Sequence, residues 1–481
     1  MIDRSKVEWG LDMSVWLPRS TRSLFAFPEC GTLPNGRCQV DQLGCSILTD
    51  NPSYIFKRMH NIDYLNELRT WLRQTSEVPT PQDLAGMPIL IVGAGTMGAE
   101  IATLAADAGV PVGLYDTQRQ TASDLAQHLA RRDPECNVQF HPELADVASR
   151  PYALVIETIT EQLEAKRRLL AELEQWIPKS TLLTSNTSTL PLKSLADSLT
   201  NPDRLVGMHF LLPVRDREII EIVAPEGGSP LWVTSACQWC KQLGKLPLVV
   251  GDEIGFLVNR LLNAVLVRAV ELWADGIFPV EIDRAALEFG LGFGPFIAMD
   301  HIGLDTVVRA GAVFWRKFPD QPRPSPLLPA LVKRRRLGRK VDHGIYDYDQ
   351  GGIRDSSRAT QLEFLSTRPE ILGGVCEEVN SIWQRYYSGT LRSADRAWIQ
   401  SCLWTALIRE AVAVCDEGYV KDARAVDSAW LFGLGISRDL GGPFQWALQE
   451  GHVDSFAWEM IPEIGPMLER LRQYAAGIMS Q

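Results

Sequence analysis

Two groups of residues in this chain have the types and spacing for chemistry. The first is Gly93-Ala-Gly-Thr-Met-Gly98, a G-x-G-x-x-G turn. Glycines in that pattern let backbone N–H groups close on a pyrophosphate at a helix N-terminus. Gly93 permits the tight turn, Gly95 lets the backbone approach the phosphates, and Gly98 allows close helix–strand packing. Thr96 and Met97 lie between them and count with the cofactor-binding set. Asp116 follows at about the 20-residue distance at which a carboxylate accepts hydrogen bonds from the adenosine ribose, which favours NAD over NADP. Arg119 nearby could instead meet a 2′-phosphate. The second group is His209 with Glu221. A single histidine at a strand end is more often structural than catalytic. A carboxylate that holds its Nδ1–H, however, would fix the tautomer and leave Nε2 free to take a proton. A dinucleotide cradle plus a general base is equipment for hydride transfer.

The elements that must position these groups are readable from periodicity. Ile89–Val92 predicts a strand before the glycine turn and Ala99–Ala108 a helix after it. Val112–Tyr115, Ala153–Ile156, Thr181–Thr184, Leu205–His209 and Ile219–Val223 predict further strands. Helices are expected over Thr121–Arg131 and Leu163–Trp176. This alternation implies a mainly parallel sheet covered on both faces, with Asp116, His209 and Glu221 at strand ends. After Gly251 the pattern turns helical, starting with one long run from Ile254 to Ala274.

The helical part repeats itself. Asp275-Gly276, Ile282-Asp283, Phe289-Gly-Leu-Gly292 and Gly294-Pro-Phe296 return in order as Glu417-Gly418, Val426-Asp427, Phe432-Gly-Leu-Gly435 and Gly442-Pro-Phe444. A period of roughly 140 residues is far too long for a solenoid, so a duplicated helical lobe is expected. Four segments follow: an N-terminal extension (1–87), a dinucleotide-binding domain (88–250), a first helical domain (251–350) and a second (351–481). In the extension, Tyr54 to Leu72 has helical spacing, Thr80 to Gly86 looks like a linker, and the whole is expected to be a packing arm or linker whose role the sequence does not give.

Composition narrows the partners. A net charge of -11 argues against nucleic acid. The basic run Lys333–Lys340 lies in an acidic chain without interleaved aromatics and is expected to be a solvated helix end. No stretch reaches the ~20 apolar residues of a membrane span, and no secretory signal is visible at the N-terminus. Nine cysteines without repeated spacing point to a reducing cytoplasm. Cys30, Cys38 and Cys45 are expected to be free thiols, and no metal site is expected.

Taken together, Gly93–Gly98, Ser185-Asn-Thr-Ser188, Gly207-Met-His-Phe210, Glu221, Gly255-Phe-Leu-Val-Asn-Arg260 and Gly292-Phe-Gly-Pro-Phe296 resemble the L-3-hydroxyacyl-CoA dehydrogenase family. Leu337-Gly-Arg-Lys340 with Gly344-Ile-Tyr346 resembles that family's lobe-closing motif. The duplication resembles the dehydrogenase half of the multifunctional fatty-acid oxidation proteins. The resemblance runs from about residue 88 to about residue 455. It implies a Rossmann-type α/β domain followed by two all-α C-terminal lobes, preceded by an irregular or helical extension. It also implies roles. His209 is the general base for the 3-hydroxyl, Glu221 orients it, and Ser188 and Asn259 lie near the substrate hydroxyl and thioester carbonyl. Glu157, Gln162 and Ser188 contact NAD. The expected reaction is NAD-dependent oxidation of a 3-hydroxyacyl thioester, carried on coenzyme A or on an acyl carrier protein. A free 3-hydroxy acid dehydrogenase of the gulonate type and a non-catalytic NAD-binding scaffold are the alternatives.

Three departures qualify the resemblance. Leu212 stands where the family usually has Asn, which removes an amide from the pocket. Ser401 stands in the second lobe where the first has Asn259, so that lobe is expected to support the fold without chemistry of its own. The first 87 residues are too few for a hydratase domain, so no hydratase activity is expected. A second lobe within the chain can also cover the surface that single-lobe relatives bury in a homodimer, which favours a monomer, although a homodimer remains open.

Overall fold

The computed structural model describes residues 52–75, 84, 86–133, 135–318, 325–348, 358–366, 375–387, 390–438, 440–448 and 465–479. Phe56–Gln481 forms one compact unit. Cys30, Cys38, Cys45 and most of the expected linker lie outside the described residues.

Eight strands form one sheet: β1 (Ile89–Val92), β2 (Val112–Tyr115), β3 (Val138–Phe140), β4 (Leu154–Glu157), β5 (Leu182–Ser185), β6 (Leu205–His209), β7 (Ile219–Ala224) and β8 (Leu246–Gly251). Their order is β3-β2-β1-β4-β5-β6-β7-β8. Every pairing is parallel except β6 with β7. Two strands escape the sequence pattern. β3 has three half-buried residues at one edge, too few for periodicity to register. β8 contains Pro247, which reads as a strand breaker but is tolerated on an edge strand. The order reverses direction beside β1, so the glycine turn sits at the switch point of the sheet.

Helix α1 (Pro52–Gln74) precedes the sheet, and α2 (Thr96–Asp107), α3 (Arg119–Arg132), α4 (Leu163–Trp176), α5 (Leu192–Ala196) and α6 (Pro230–Gln242) cover it. Lobe 1 holds α7 (Phe256–Ala274), α8 (Pro279–Phe289), α9 (Pro295–Ile302), α10 (Leu304–Lys317) and α11 (Leu327–Lys333). Then come α12 (Arg358–Ser366) and α13 (Glu377–Tyr386). Lobe 2 holds α14 (Arg396–Asp416), α15 (Arg424–Ser428), a π-helical turn (Ala429–Gly433), α16 (Pro443–Leu448) and α17 (Gly465–Met479).

Strand alternation divides the core. Ile89, Ile91, Met208, Ile220 and Ile222 face one cluster with α2, α3 and α6. Leu90, Val92, Leu205, Ile219 and Val223 face the other, which is continuous with both lobes and with Leu65, Leu68 and Leu72 of α1. His209 follows Met208 by one residue and Glu221 follows Ile220 by one, so both point to the lobe side. Burying the three α1 leucines stabilises the docked helix by about 1.5–3 kcal/mol each. Within the lobes, α7 packs along α14. The buried Arg260 of α7 reaches across to Glu410 and, with both terminal nitrogens at 2.6 and 2.7 Å, to Glu417. The duplicated first helices are therefore partners inside one chain.

Candidate active site

The site is assembled along the carboxyl ends of β1 to β6, where Glu221 arrives from the amino-terminal half of β7, antiparallel to β6. Leaving β1, the chain enters the glycine turn, with Gly93 at φ 106°. Helix α2 begins at Thr96, three residues before the start that the sequence pattern predicts, so Gly98 falls inside its first turn. A Cβ at Gly98 would lie 1.8 Å from the Gly93 carbonyl oxygen, so no other residue fits. At Gly95 an added Cβ meets nothing within 4 Å, and Gly95 and Thr96 are exposed while Met97 is half-buried. This is a backbone held rigid from behind and open in front, and α2 has no side-chain cap. A pyrophosphate fits such a cradle through the free helix-end amides. Asp116 closes the turn from β2, accepting 2.7 Å hydrogen bonds from the Ala94 and Gln118 amides. Arg119 is paired with Glu143 and so is drawn toward that carboxylate.

From β4 onward the structure corrects one expectation. Glu157 does not face the crevice. It is fully buried, and its carboxylate accepts from Lys166 Nζ (2.7 Å), the Ile159 amide (2.7 Å) and Ser185 Oγ (2.5 Å). It locks the ends of β4 and β5 together. The carboxylate that reaches the Ser188 loop is Glu161. Its Oε1 accepts from Thr187 Oγ1 (2.7 Å), the Ser188 and Thr189 amides (2.9 Å each) and Thr189 Oγ1 (3.0 Å). Burial pushes this carboxyl up, but Lys166 and these donors outweigh it and hold it below the usual carboxylate range. Neither Glu161 nor Lys166 belongs to a motif that marks it as a site residue in the sequence. One signal was available: Lys166 lies on the buried stripe Lys166, Leu170, Leu173 of α4, and a lysine there needs a carboxylate partner. Gln162 is the exposed N-cap residue of α4.

His209 and Glu221 are direct cross-strand partners in the antiparallel β6–β7 pair. His209 Nδ1 lies 2.7 Å from Glu221 Oε2, and both residues are buried. The other carboxylate oxygen accepts from the Leu257 and Val258 amides at 2.8 and 2.9 Å. Glu221 therefore caps the start of α7 while bracing the imidazole, a favourable place for a carboxylate. The Phe256 ring packs 5.4 Å from the His209 ring. Asn259 is the next residue of α7 after Val258 and is half-buried. Asn186 ties the neighbouring strand ends together through a 2.8 Å bond from the Phe210 amide to its Oδ1. Leu212, beyond His209, is half exposed. Asp116, just past the end of β2, and His209 on β6 stand four strand intervals apart, about 19 Å at the usual spacing. In between lie the glycine turn, the Glu161–Ser188 loop and Asn186. Such a crevice suits an extended dinucleotide with its reactive end toward His209. Among the described residues no cluster of His, Cys, Asp or Glu could hold a metal ion, and no helix is long and apolar enough to cross a membrane.

Two family models match the chain. The 3-hydroxyacyl-CoA dehydrogenase NAD binding domain matches residues 88–253 and the corresponding C-terminal domain residues 255–348, together more than half of the sequence. The fatty acid oxidation complex subunit alpha of Acinetobacter baumannii is 29% identical over 383 residues, which cover 76% of this chain and 51% of that protein. The chain thus spans about half the length of the curated relatives it matches. Among solved structures, (S)-3-hydroxybutyryl-CoA dehydrogenase from Ralstonia eutropha is 29% identical with a TM-score of 0.50, covering 55% of this chain and all of that one. The 3-hydroxybutyryl-CoA dehydrogenase from Escherichia coli is 22% identical with a TM-score of 0.62, covering 83% and 96% of the two chains; at that identity it speaks to the fold. Glycine cradle, braced histidine, helical lobes and these matches agree: the chain belongs to the 3-hydroxyacyl-CoA dehydrogenase family.

Proposed function

We propose that this protein oxidises a 3-hydroxyacyl thioester to the 3-oxoacyl thioester with NAD, and that His209 is the general base. The observation that carries the proposal is the 2.7 Å contact of His209 Nδ1 with Glu221, whose other oxygen is fixed by two α7 amides. With Nδ1–H donating to Glu221, Nε2 is left as the acceptor. It takes the proton of the C3 hydroxyl, and Glu221 stabilises the imidazolium that results. Ser188, held by Glu161, and Asn259, at the start of α7, position the hydroxyl and the thioester carbonyl. Residues Gly93–Gly98, Asp116, Gln162 and Ser188 hold the dinucleotide, whose nicotinamide supplies the hydride acceptor when bound. Leu212 places an apolar side chain in the wall of the same pocket.

Coenzyme A is the carrier named in the matched family descriptions, and an acyl carrier protein is the competing one. The internal pairing of α7 with α14 supports a monomer, and light scattering reads this directly. The chemistry supports a cytoplasmic location, where NAD and reduced thiols coexist. The test is NADH formation with 3-hydroxybutyryl and longer 3-hydroxyacyl groups on each carrier, beside a free 3-hydroxy acid. We expect turnover of thioesters and a loss of roughly two to four orders of magnitude in His209→Ala. Tight NAD binding without turnover of any of these would instead support a scaffold.

A further inference from the structure

The two lobes solve the same problem with different parts of the chain. In lobe 1, buried Asp283 accepts from the Phe296 amide on Oδ1 (2.8 Å) and from the Ile297 amide on Oδ2 (3.1 Å), and Tyr346 donates its phenol to Oδ2 (3.1 Å). In lobe 2, buried Asp427 accepts from the Phe444 amide on Oδ1 (3.0 Å) and from the Gln445 amide on Oδ2 (3.0 Å). Its Oδ2 also accepts a phenol, at 2.6 Å, but from Tyr64. That tyrosine lies on α1, 363 residues upstream, whereas Tyr346 follows its aspartate by 63. Tyr64 of α1 therefore completes the second lobe.

Helix α1 also grips the sheet. Arg69 donates to both oxygens of Glu218, at 2.8 and 3.1 Å, and its guanidinium stacks 5.2 Å over Phe432 of lobe 2. Arg438 of lobe 2 reaches the same Glu218 at 2.6 Å. Glu218 immediately precedes β7, the strand that carries Glu221. Beside Phe432, Gly433 is wedged against this region. A Cβ there would lie 2.8 Å from Val258 and 3.2 Å from Ile219. Val258 gives one of the two amides that hold Glu221.

We infer that α1 is a positioning element for the general base: through Tyr64 and Arg69 it clamps lobe 2 onto β7, and lobe 2 in turn backs the α7 amides that fix Glu221. The inference rests on the proposed role of His209, and its test separates the two. The full-length chain is compared as wild type, Tyr64→Phe, Arg69→Met and Arg69→Lys. Steady-state kinetics, the pH profile of kcat/KM and hydrogen exchange at the Leu257 and Val258 amides are read together. Tyr64→Phe and Arg69→Met should lower kcat roughly 3- to 30-fold, the range of coupling through a packed network. KM for NAD should change less than about two-fold, since Tyr64 and Arg69 make their contacts with Asp427, Glu218 and Phe432. The pH profile should shift, both amides should exchange faster, and Arg69→Lys should recover part of the loss. A lowered melting temperature with kcat, pH profile and amide exchange all unchanged would make α1 merely structural and overturn the inference. If the wild type turns over none of the thioesters, the functional proposal fails by itself. Amide exchange then decides the clamp, with unaltered protection in both variants refuting it.

Discussion

Glu221→Gln is the sharpest test of the site, because the structure dictates how the new side chain must sit. Glutamine has one acceptor oxygen and one donor NH₂. The Leu257 and Val258 amides both point at Oε1, so the oxygen must stay there. The NH₂ then faces His209 Nδ1 and forces the proton to Nε2, the nitrogen that has to accept. Turning the amide over restores the histidine but sets the NH₂ against two buried amide donors. Each lost bond there costs about 1–3 kcal/mol, so 2–6 kcal/mol in all. Either way the productive state is scarce. At 1.36 kcal/mol per decade the expected loss in kcat/KM is about 30-fold to 10⁴-fold, with an upper end like the tautomer-inverting Asp→Asn change in a serine protease triad. Glu221→Asp keeps the charge but shortens the reach, and should fall between. The assay is NADH formation under kcat/KM conditions, beside NAD affinity by fluorescence. Affinity should hold within about two-fold, since the cradle lies several strands away. A folded Glu221→Gln enzyme with more than about a tenth of wild-type kcat/KM would refute the tautomer argument.

Further outcomes follow from other contacts. Gly98→Ala places a methyl 1.8 Å from the Gly93 oxygen, so NAD affinity should drop at least about 100-fold and the melting temperature should fall; unaltered affinity by calorimetry would contradict the packing described. Leu212→Asn changes a half-exposed side chain, so stability should stay within about 0.5 kcal/mol while KM for substrate or NAD falls; unchanged kinetics would remove residue 212 from the pocket. Asp116→Ser should narrow the preference for NAD over NADP, read as the ratio of the two kcat/KM values. Burial alone would raise Glu161, Glu174 and Glu218, but their cationic and hydrogen-bonding partners outweigh it and hold all three below the usual range. Their contribution to stability is therefore complete above the unfolded value of about 4.3 and is lost as pH falls through the depressed folded values. Melting temperatures followed downward from pH 5 should show an acid limb that Glu161→Gln and Glu174→Gln each weaken.

Local chemistry carried much of this protein into view. A strand, a glycine turn and a helix are contiguous, so the cradle at Gly93–Gly98 is written in one short stretch. The lobe repeat was legible because the duplicated buried aspartates and the Gly-Pro-Phe turns they cap keep their order, although Asp283 precedes Phe296 by 13 residues and Asp427 precedes Phe444 by 17. What stayed hidden depends on chain crossing in three dimensions. β8 was masked by a proline that only an edge position tolerates. Glu157 and Glu161 are four residues apart with equal chemical credentials, and only the register of β4 against β5 buries the first and brings the second to the Ser188 loop. Tyr64 and Asp427 carry no mutual signal at all. A hydrogen bond between residues hundreds of positions apart is decided by how α1 docks, and docking is the property of a surface that exists only after the sheet and both lobes have packed.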